Sequence, residues 1–285
     1  MNKLIVFMLI VIYSPCCSAQ HKIKSPKIPS RLSFAGEKVP LENQDVWEQL
    51  DKELIVNQNY HSSTLLILKK MNRYKEKIVK ILKENNIPED FFYLAVAESS
   101  LKDKAASHAG AVGLWQFLQK TAGDYGLEVS DTVDERRDLE KSTRAACRYL
   151  HDSYKKFKNW TLVAASYNRG VRGIQEAIAK QKVDSYYKLY LNSETARYVF
   201  RILAFKLILT SPSDYNYEFD RSTSYPTYKY RVIKVDRSIE DLPDFSLKNN
   251  TTYKDIVLHN PWIKSGKYNL EVKEGKVYEI LIPED

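Results

Sequence analysis

The sequence predicts a mainly α protein that ends in a small α/β module. Two observations carry this. From Asp45 to about Thr210, apolar residues recur at helical spacing and no useful stretch of strand-like alternation intervenes. Beyond residue 228 the period changes, with Tyr228, Tyr230 and Val232 alternating against Lys229 and Arg231. A chain of 285 residues has room for both parts.

In order, residues 1–19 read as a secretory signal peptide, with Lys3, an apolar run from Leu4 to Tyr13, and small residues before Gln20. That run is short for a membrane span. Cys16 and Cys17 offer a lipidation site, although Pro15 before Cys16 and Tyr13 at the third position before it match a lipoprotein signal poorly. Residues 20–44, rich in Lys, Ser and Pro, read as an extended, mobile leader. Residues 45–86 form an N-terminal helical extension, with stripes at Trp47, Leu50 and Leu54, at 67–71 and at 78–82. Asn85-Asn86-Ile87-Pro88 is a stop and restart. Residues 87–212 continue the helical pattern, and 213–227 form a polar linker. Residues 228–285 read as strand–helix–helix–strand: one helix begins at a capping box, Ser238-Ile-Glu-Asp241. A second begins at Thr252 and stops at Asn260-Pro261, and a strand over 277–282 closes the module.

The formal charge of +8 suits a polyanionic partner. Nucleic acid is excluded by the export signal and by the lack of Lys/Arg runs or an aromatic RNA-binding signature. The five histidines show no ligand spacing, so neither a metal nor a cofactor is implied. Asp131, Asp134, Glu135 and Asp138 lack the alternation of a calcium loop, and helix capping with pairing to Arg136 and Arg137 explains them. Cys147, in a helical context, reads as a buried small apolar side chain and not a nucleophile.

Glu98 stands out. Pro88 and two acids mark a helix start, and Phe91, Leu94, Ala95 and Glu98 then share one face. A carboxyl on an apolar face can be kept protonated by desolvation, which is how a glutamate becomes a general acid near neutral pH. A partly exposed helix-end Glu is the bland alternative. Farther on come Gly113-Leu-Trp-Gln116, Tyr167-Asn168-Arg-Gly170 and Glu194-Thr-Ala-Arg-Tyr198. Each motif alone is weak, and their order after an export signal is what makes them informative.

With those four elements the chain resembles the lytic transglycosylases that have a goose-lysozyme-like (SLT) catalytic domain, in particular the membrane-bound D type. The resemblance spans roughly Trp47 to Pro212 and includes Asp134-Glu-Arg-Arg137. Ser166 stands where the family usually has alanine before Tyr-Asn, and the proline that often precedes Glu-Thr is missing. The resemblance implies a lysozyme-like helical domain and a single catalytic carboxylate, Glu98, acting on peptidoglycan. Ser99, Gln116, Tyr167, Asn168 and Tyr198 would bind or orient substrate: Ser99 through its hydroxyl, the two amides through acetamido groups and sugar hydroxyls. Tyr167 would line the sugar groove and Tyr198 would place its hydroxyl near Glu98, while Glu194 is assigned a structural role.

More loosely, the tail resembles a LysM peptidoglycan-binding module, although Val235-Asp-Arg-Ser238 replaces the usual Gly-Asp-Thr. The implied location is the periplasm, membrane-anchored if Cys16 or Cys17 carries lipid, with a monomer expected. Two alternatives stay open. One is a lysozyme-type muramidase on the same fold, with Asp124, Glu128 or Asp131 as second carboxylate. The other is a non-catalytic wall-binding scaffold.

Overall fold

The computed structural model describes residues 24–284; the signal-peptide and lipidation readings fall outside them. The chain runs through a hairpin, β1 (Ser33–Phe34) and β2 (Glu37–Lys38), into α1 (Gln44–Asn59) and α2 (His61–Glu84). Then follow α3 (Phe91–Ser99), α4 (Gln119–Asp124), α5 (Leu139–Phe157), α6 (Trp160–Arg169), α7 (Val171–Gln181) and α8 (Ser193–Thr210). The tail holds β3 (Lys229–Val235), α9 (Leu242–Lys248), α10 (Tyr253–His259) and β4 (Tyr278–Glu284). β3 and β4 pair antiparallel along their full length, Lys229 against Glu284 through Val235 against Tyr278. The mainly α architecture with a strand–helix–helix–strand tail is as expected.

α3 is the centre of the helical part. The sequence suggested an apolar stripe, but Phe91 to Val96 are all buried, so the helix is enclosed on every side and packs against α2 and α8. It ends abruptly because Ser100 and Leu101 are both left-handed, at φ 51° and 53°. For residues with a Cβ this costs about 1 kcal/mol or more each. The Ser100 amide still closes on the Val96 carbonyl (2.8 Å).

Three expectations need correction. The described part of the leader is extended but docked: Phe34 is fully buried, 5.3 Å from the Phe91 ring in an edge contact, and Leu32 and Val39 are buried beside it. Its polar composition concealed these anchors. Leu50 and Leu54 face the core as read, but Trp47 is 39% exposed and Val46 takes its place, because i, i+4 spacing to Leu50 satisfies the helical period as well as i, i+3. α9 is capped by Asp241, whose carboxylate accepts the Asp244 amide (2.8 Å), while Ser238 accepts the Val272 amide (3.0 Å). Thr252 caps α10 as read.

The polar segment before β3 is also fastened. Tyr215 and Tyr217 donate to the carbonyls of Lys27 (2.9 Å) and Gln58 (2.7 Å), and Asn72 and Arg73 donate to those of Tyr225 and Pro226 (both 3.0 Å). The tail then docks on the segment 130–134. Val133 sits in the tail's apolar core, the Asp134 amide reaches the Trp262 carbonyl (2.7 Å), and the Lys264 amide reaches that of Thr132 (2.9 Å). Cys147 is buried and its thiol is pushed up to about 12 by desolvation, which removes it as a nucleophile. Among the described residues no helix is long and apolar enough to cross a membrane.

Candidate active site

Glu98 lies on the last turn of α3, half-buried. Burial pushes its carboxyl above the ordinary value of 4.5. The Tyr198 hydroxyl, which donates to Oε1, and the Arg201 guanidinium pull it back, while Glu194 pushes it up slightly. Burial prevails, so the acid form persists to a higher pH than in a free glutamate. Tyr198 is itself buried on α8, one hundred residues away in sequence. Its hydroxyl is raised well above 10, first by burial and then by Glu98.

Arg201 was not among the sequence candidates. It lies one turn after Tyr198 on α8, with its Cζ 5.5 Å from the Tyr198 ring centroid. Its Nε is buried with no hydrogen-bond partner among the described residues. A spacing of i, i+3 from Tyr198 was the only local sign that it shares that face.

The Gly113–Gln116 loop is built by steric demands. Gly113 sits at φ 85°, and a Cβ there would fall 1.9 Å from the Arg136 carbonyl oxygen, so no other residue fits without moving backbone. Trp115 is fully buried and donates from Nε1 to Thr143 Oγ1 (2.9 Å). Gln116 turns the chain at φ 48°, and its Nε2 donates to the carbonyls of Gly113 (2.8 Å) and Ala105 (3.3 Å). Both amide protons are thus committed to the loop, and only its carbonyl oxygen can serve a ligand.

Tyr167 packs among Trp115, Phe117 and Tyr149, and donates to the Trp115 carbonyl (2.7 Å). Burial and then Glu98's charge raise its hydroxyl well above 10, which puts it in the same neighbourhood. Asn168 does not face Glu98 through a bond. Its Nδ2 donates to Glu194 (3.0 Å) and its Oδ1 accepts from the Thr195 hydroxyl (2.8 Å), joining α6 to the first turn of α8. Ser99 is buried and donates to the Ala95 carbonyl (3.0 Å) of its own helix, so its proton is not aimed at Glu98 or a ligand. The structure therefore gathers Glu98, Tyr198, Tyr167 and Arg201, and turns Gln116, Asn168 and Ser99 largely to framework duty.

Glu128 cannot be the free second carboxylate. It accepts from Lys276 and from the Tyr278 hydroxyl (2.8 Å), and pairs with Lys273 (2.9 Å), all on the tail. Burial opposes its charge, yet these three donors hold its carboxyl at about 2. The neighbouring acids are structural too: Asp134 pairs with Arg136 (2.8 Å) and Asp138 caps α5 through the Lys141 amide (2.7 Å).

Residues 76–190 match the Transglycosylase SLT domain, and residues 231–285 match the Soluble lytic transglycosylase C-terminal LysM-like domain. The chain thus carries an SLT transglycosylase domain followed by a LysM-like domain. Over 191 residues it is 32% identical to Membrane-bound lytic murein transglycosylase D of Escherichia coli (strain K12), covering 64% of this chain and 41% of that protein. It is 31% identical over 110 residues to a Putative tributyltin chloride resistance protein of Alteromonas sp. (strain M-1), covering 38% of this chain and 53% of that one.

Two solved structures are also similar. The lytic transglycosylase Slt of Pseudomonas aeruginosa, as an inactive mutant, has a TM-score of 0.38 at 19% identity, over 53% of this chain and 26% of that one. The 70 kDa soluble lytic transglycosylase of Escherichia coli has a TM-score of 0.43 at 17% identity, over 62% and 32%. Glu98, Gln116, Tyr167 and Asn168 lie inside the matched SLT segment; Tyr198 and Arg201 lie beyond it.

Proposed function

We propose that this chain is a peptidoglycan lytic transglycosylase that cleaves the bond between N-acetylmuramic acid and N-acetylglucosamine without water. The supporting observation is Glu98, a carboxyl raised by burial, with one oxygen held by Tyr198 and the other left for a glycosidic oxygen. Glu98 gives its proton to the leaving oxygen as the bond to C1 breaks. The substrate's N-acetyl oxygen stabilises the positive charge at C1, so no second enzymic carboxylate is needed. The Glu98 carboxylate then takes the proton of the muramyl C6 hydroxyl as O6 closes on C1, leaving a 1,6-anhydro product. Burial favours the acid at the first step, while Tyr198 and Arg201 favour the carboxylate at the second. That opposition suits a group that must work in both forms.

Tyr167 forms a wall of the groove, and the Gln116 carbonyl oxygen accepts from a substrate N–H. Asn168 and Ser99 act by holding α6, α8 and α3 in place. Residues 87–212 form the catalytic domain, completed by the helices of 45–86. Residues 213–227 are the connection, and 228–285 form the wall-facing module. Residues 1–19 direct export to the periplasm, with lipid on Cys16 or Cys17 as the route to a membrane.

Mass analysis of fragments released from purified peptidoglycan tests this reading. Fragments lighter by one water than hydrolytic ones are expected. Fully hydrated fragments would replace it with a muramidase, and no fragments would leave only a wall-binding scaffold.

A further inference from the structure

A cleft of about 1300 Å³ lies between the SLT part and the LysM-like module, and Glu98 does not line it. One wall comes from α2, the segment 101–105 and the start of α5; the other from β3, the end of α10 and β4. It exceeds the usual 300–1000 Å³ of small-molecule sites, which points to an oligomer.

Ten lysines and arginines line it against five acids. Some are already paired, such as Lys77 with Glu140 (3.9 Å) and Arg144 with Glu140 (3.1 Å). Among the described residues, no carboxylate forms an ion pair with Lys70, Lys80 or Lys102. Lys70 is pushed below its ordinary value by burial and then by Lys102, with Asp103 offsetting part of this and Arg73 adding to it, so the cations outweigh the one nearby carboxylate. The Arg137 Nε is buried without a hydrogen-bond partner among the described residues, and its nearest anion, Asp134, stands 3.8 Å away.

The lining also discriminates among anions. Tyr74, Tyr228, Tyr230 and Trp262 offer apolar surface, and Arg73 already stacks 4.4 Å over Tyr228. Glu76, Asp103 and Glu279 would repel a chain charged at every unit but would accept from an amino group. We propose that this cleft binds an oligopeptide of net negative charge that also carries an amino group, the chemistry of the stem peptides on peptidoglycan. The inference deepens the proposed function and rests on it only for the source of the peptide. Segment 101–105 joins the two sites: it lines the cleft, and its Ala105 carbonyl accepts from Gln116. A glycan cut at Glu98 would then be held by a stem one or more sugars away.

Calorimetric titration of the full chain tests this with three probes: free stem tetrapeptide, N-acetylated oligoglutamate and inorganic polyphosphate. The tetrapeptide should bind with a Kd that rises with salt. K80E/K102E should weaken it at least tenfold. E76Q/E279Q should weaken the tetrapeptide but tighten the N-acetylated oligoglutamate, because only the tetrapeptide offers an amine. Thermal unfolding confirms that each variant is folded.

Three results would overturn the proposal: no tetrapeptide binding at millimolar concentration, wild-type affinity in folded K80E/K102E, or tighter binding of polyphosphate than of tetrapeptide. The readout involves no turnover, so hydrolytic products from peptidoglycan would defeat the proposed function and leave the cleft standing.

Discussion

Glu98 and Glu128 are both enclosed glutamates, thirty residues apart on one chain, and the protein treats them in opposite ways. Among the described residues, Glu98 has one hydroxyl donor, Tyr198, with the Arg201 guanidinium and the Glu194 carboxylate acting only through space, and burial keeps its carboxyl raised. Around Glu128 two ammonium groups and a tyrosine converge, and its carboxyl is held at about 2 although burial opposes its charge there too. Burial alone therefore does not decide whether a carboxyl becomes an acid or an anchor. The number of charged donors within bonding distance does.

The largest expected effect is on turnover. Glu98→Gln keeps the shape and removes the proton cycle, and release of fragments should fall by about 10³-fold or more, measured by product mass. The same variant sharpens the contrast through stability. A carboxyl raised in the folded state weighs against folding once the pH exceeds its unfolded value of 4.5, and weighs nothing below it. Glu98→Gln should therefore raise Tm at pH 8, with the gain gone at pH 3.5.

Glu128→Gln should do the reverse. A depressed carboxyl stabilises the fold above its unfolded value, and that stability is lost as pH falls from about 4.5 towards 2. The variant should lose about 1–2 kcal/mol at pH 7 in urea melts, because the buried carboxylate loses its bonds to Tyr278 and to two half-exposed, solvent-screened lysines. The deficit should shrink steadily towards pH 2. Equal Tm values for the two proteins at pH 7 would erase the distinction between acid and anchor.

Tyr198→Phe removes the one hydrogen-bond donor to Glu98 found among the described residues. The alkaline limb of the pH profile should move up, and kcat should fall roughly tenfold as the carboxylate step loses about 1.4 kcal/mol. Arg201→Met should move the same limb in the same direction by less. A larger shift from Arg201→Met than from Tyr198→Phe would mean that charge through space, and not the hydrogen bond, offsets burial.

Much of the frame was legible. Periodicity identified the helices between residues 45 and 210 and the change to strands at the tail, because both follow from which side chains face the core. The short motifs led to Glu98, Tyr167 and Tyr198, which do lie together. Burial by distant residues was not legible. Phe34 sits in a polar, proline-rich stretch and meets Phe91 only after folding, and Arg201 reaches Glu98 only because α8 crosses α3. Gln116 and Asn168 illustrate a further limit: their amides suggested ligand contacts, but the loop and helix carbonyls and hydroxyls that occupy them come from turn geometry that composition does not encode. Glu128 showed no sign of its three partners, which lie about 150 residues farther along.

The small hairpin ahead of α1 ties together the three helices that bear the site. Phe34 presses on Phe91 of α3, and Glu37 accepts the Thr161 amide (2.9 Å) and hydroxyl (2.7 Å) at the start of α6. Lys206 of α8 grips both the Ser33 carbonyl (2.8 Å) and Asp90 (2.7 Å). In mechanical terms this is a buckle. A pull on the chain ahead of the hairpin is shared among the helices carrying Glu98, Tyr167 and Tyr198.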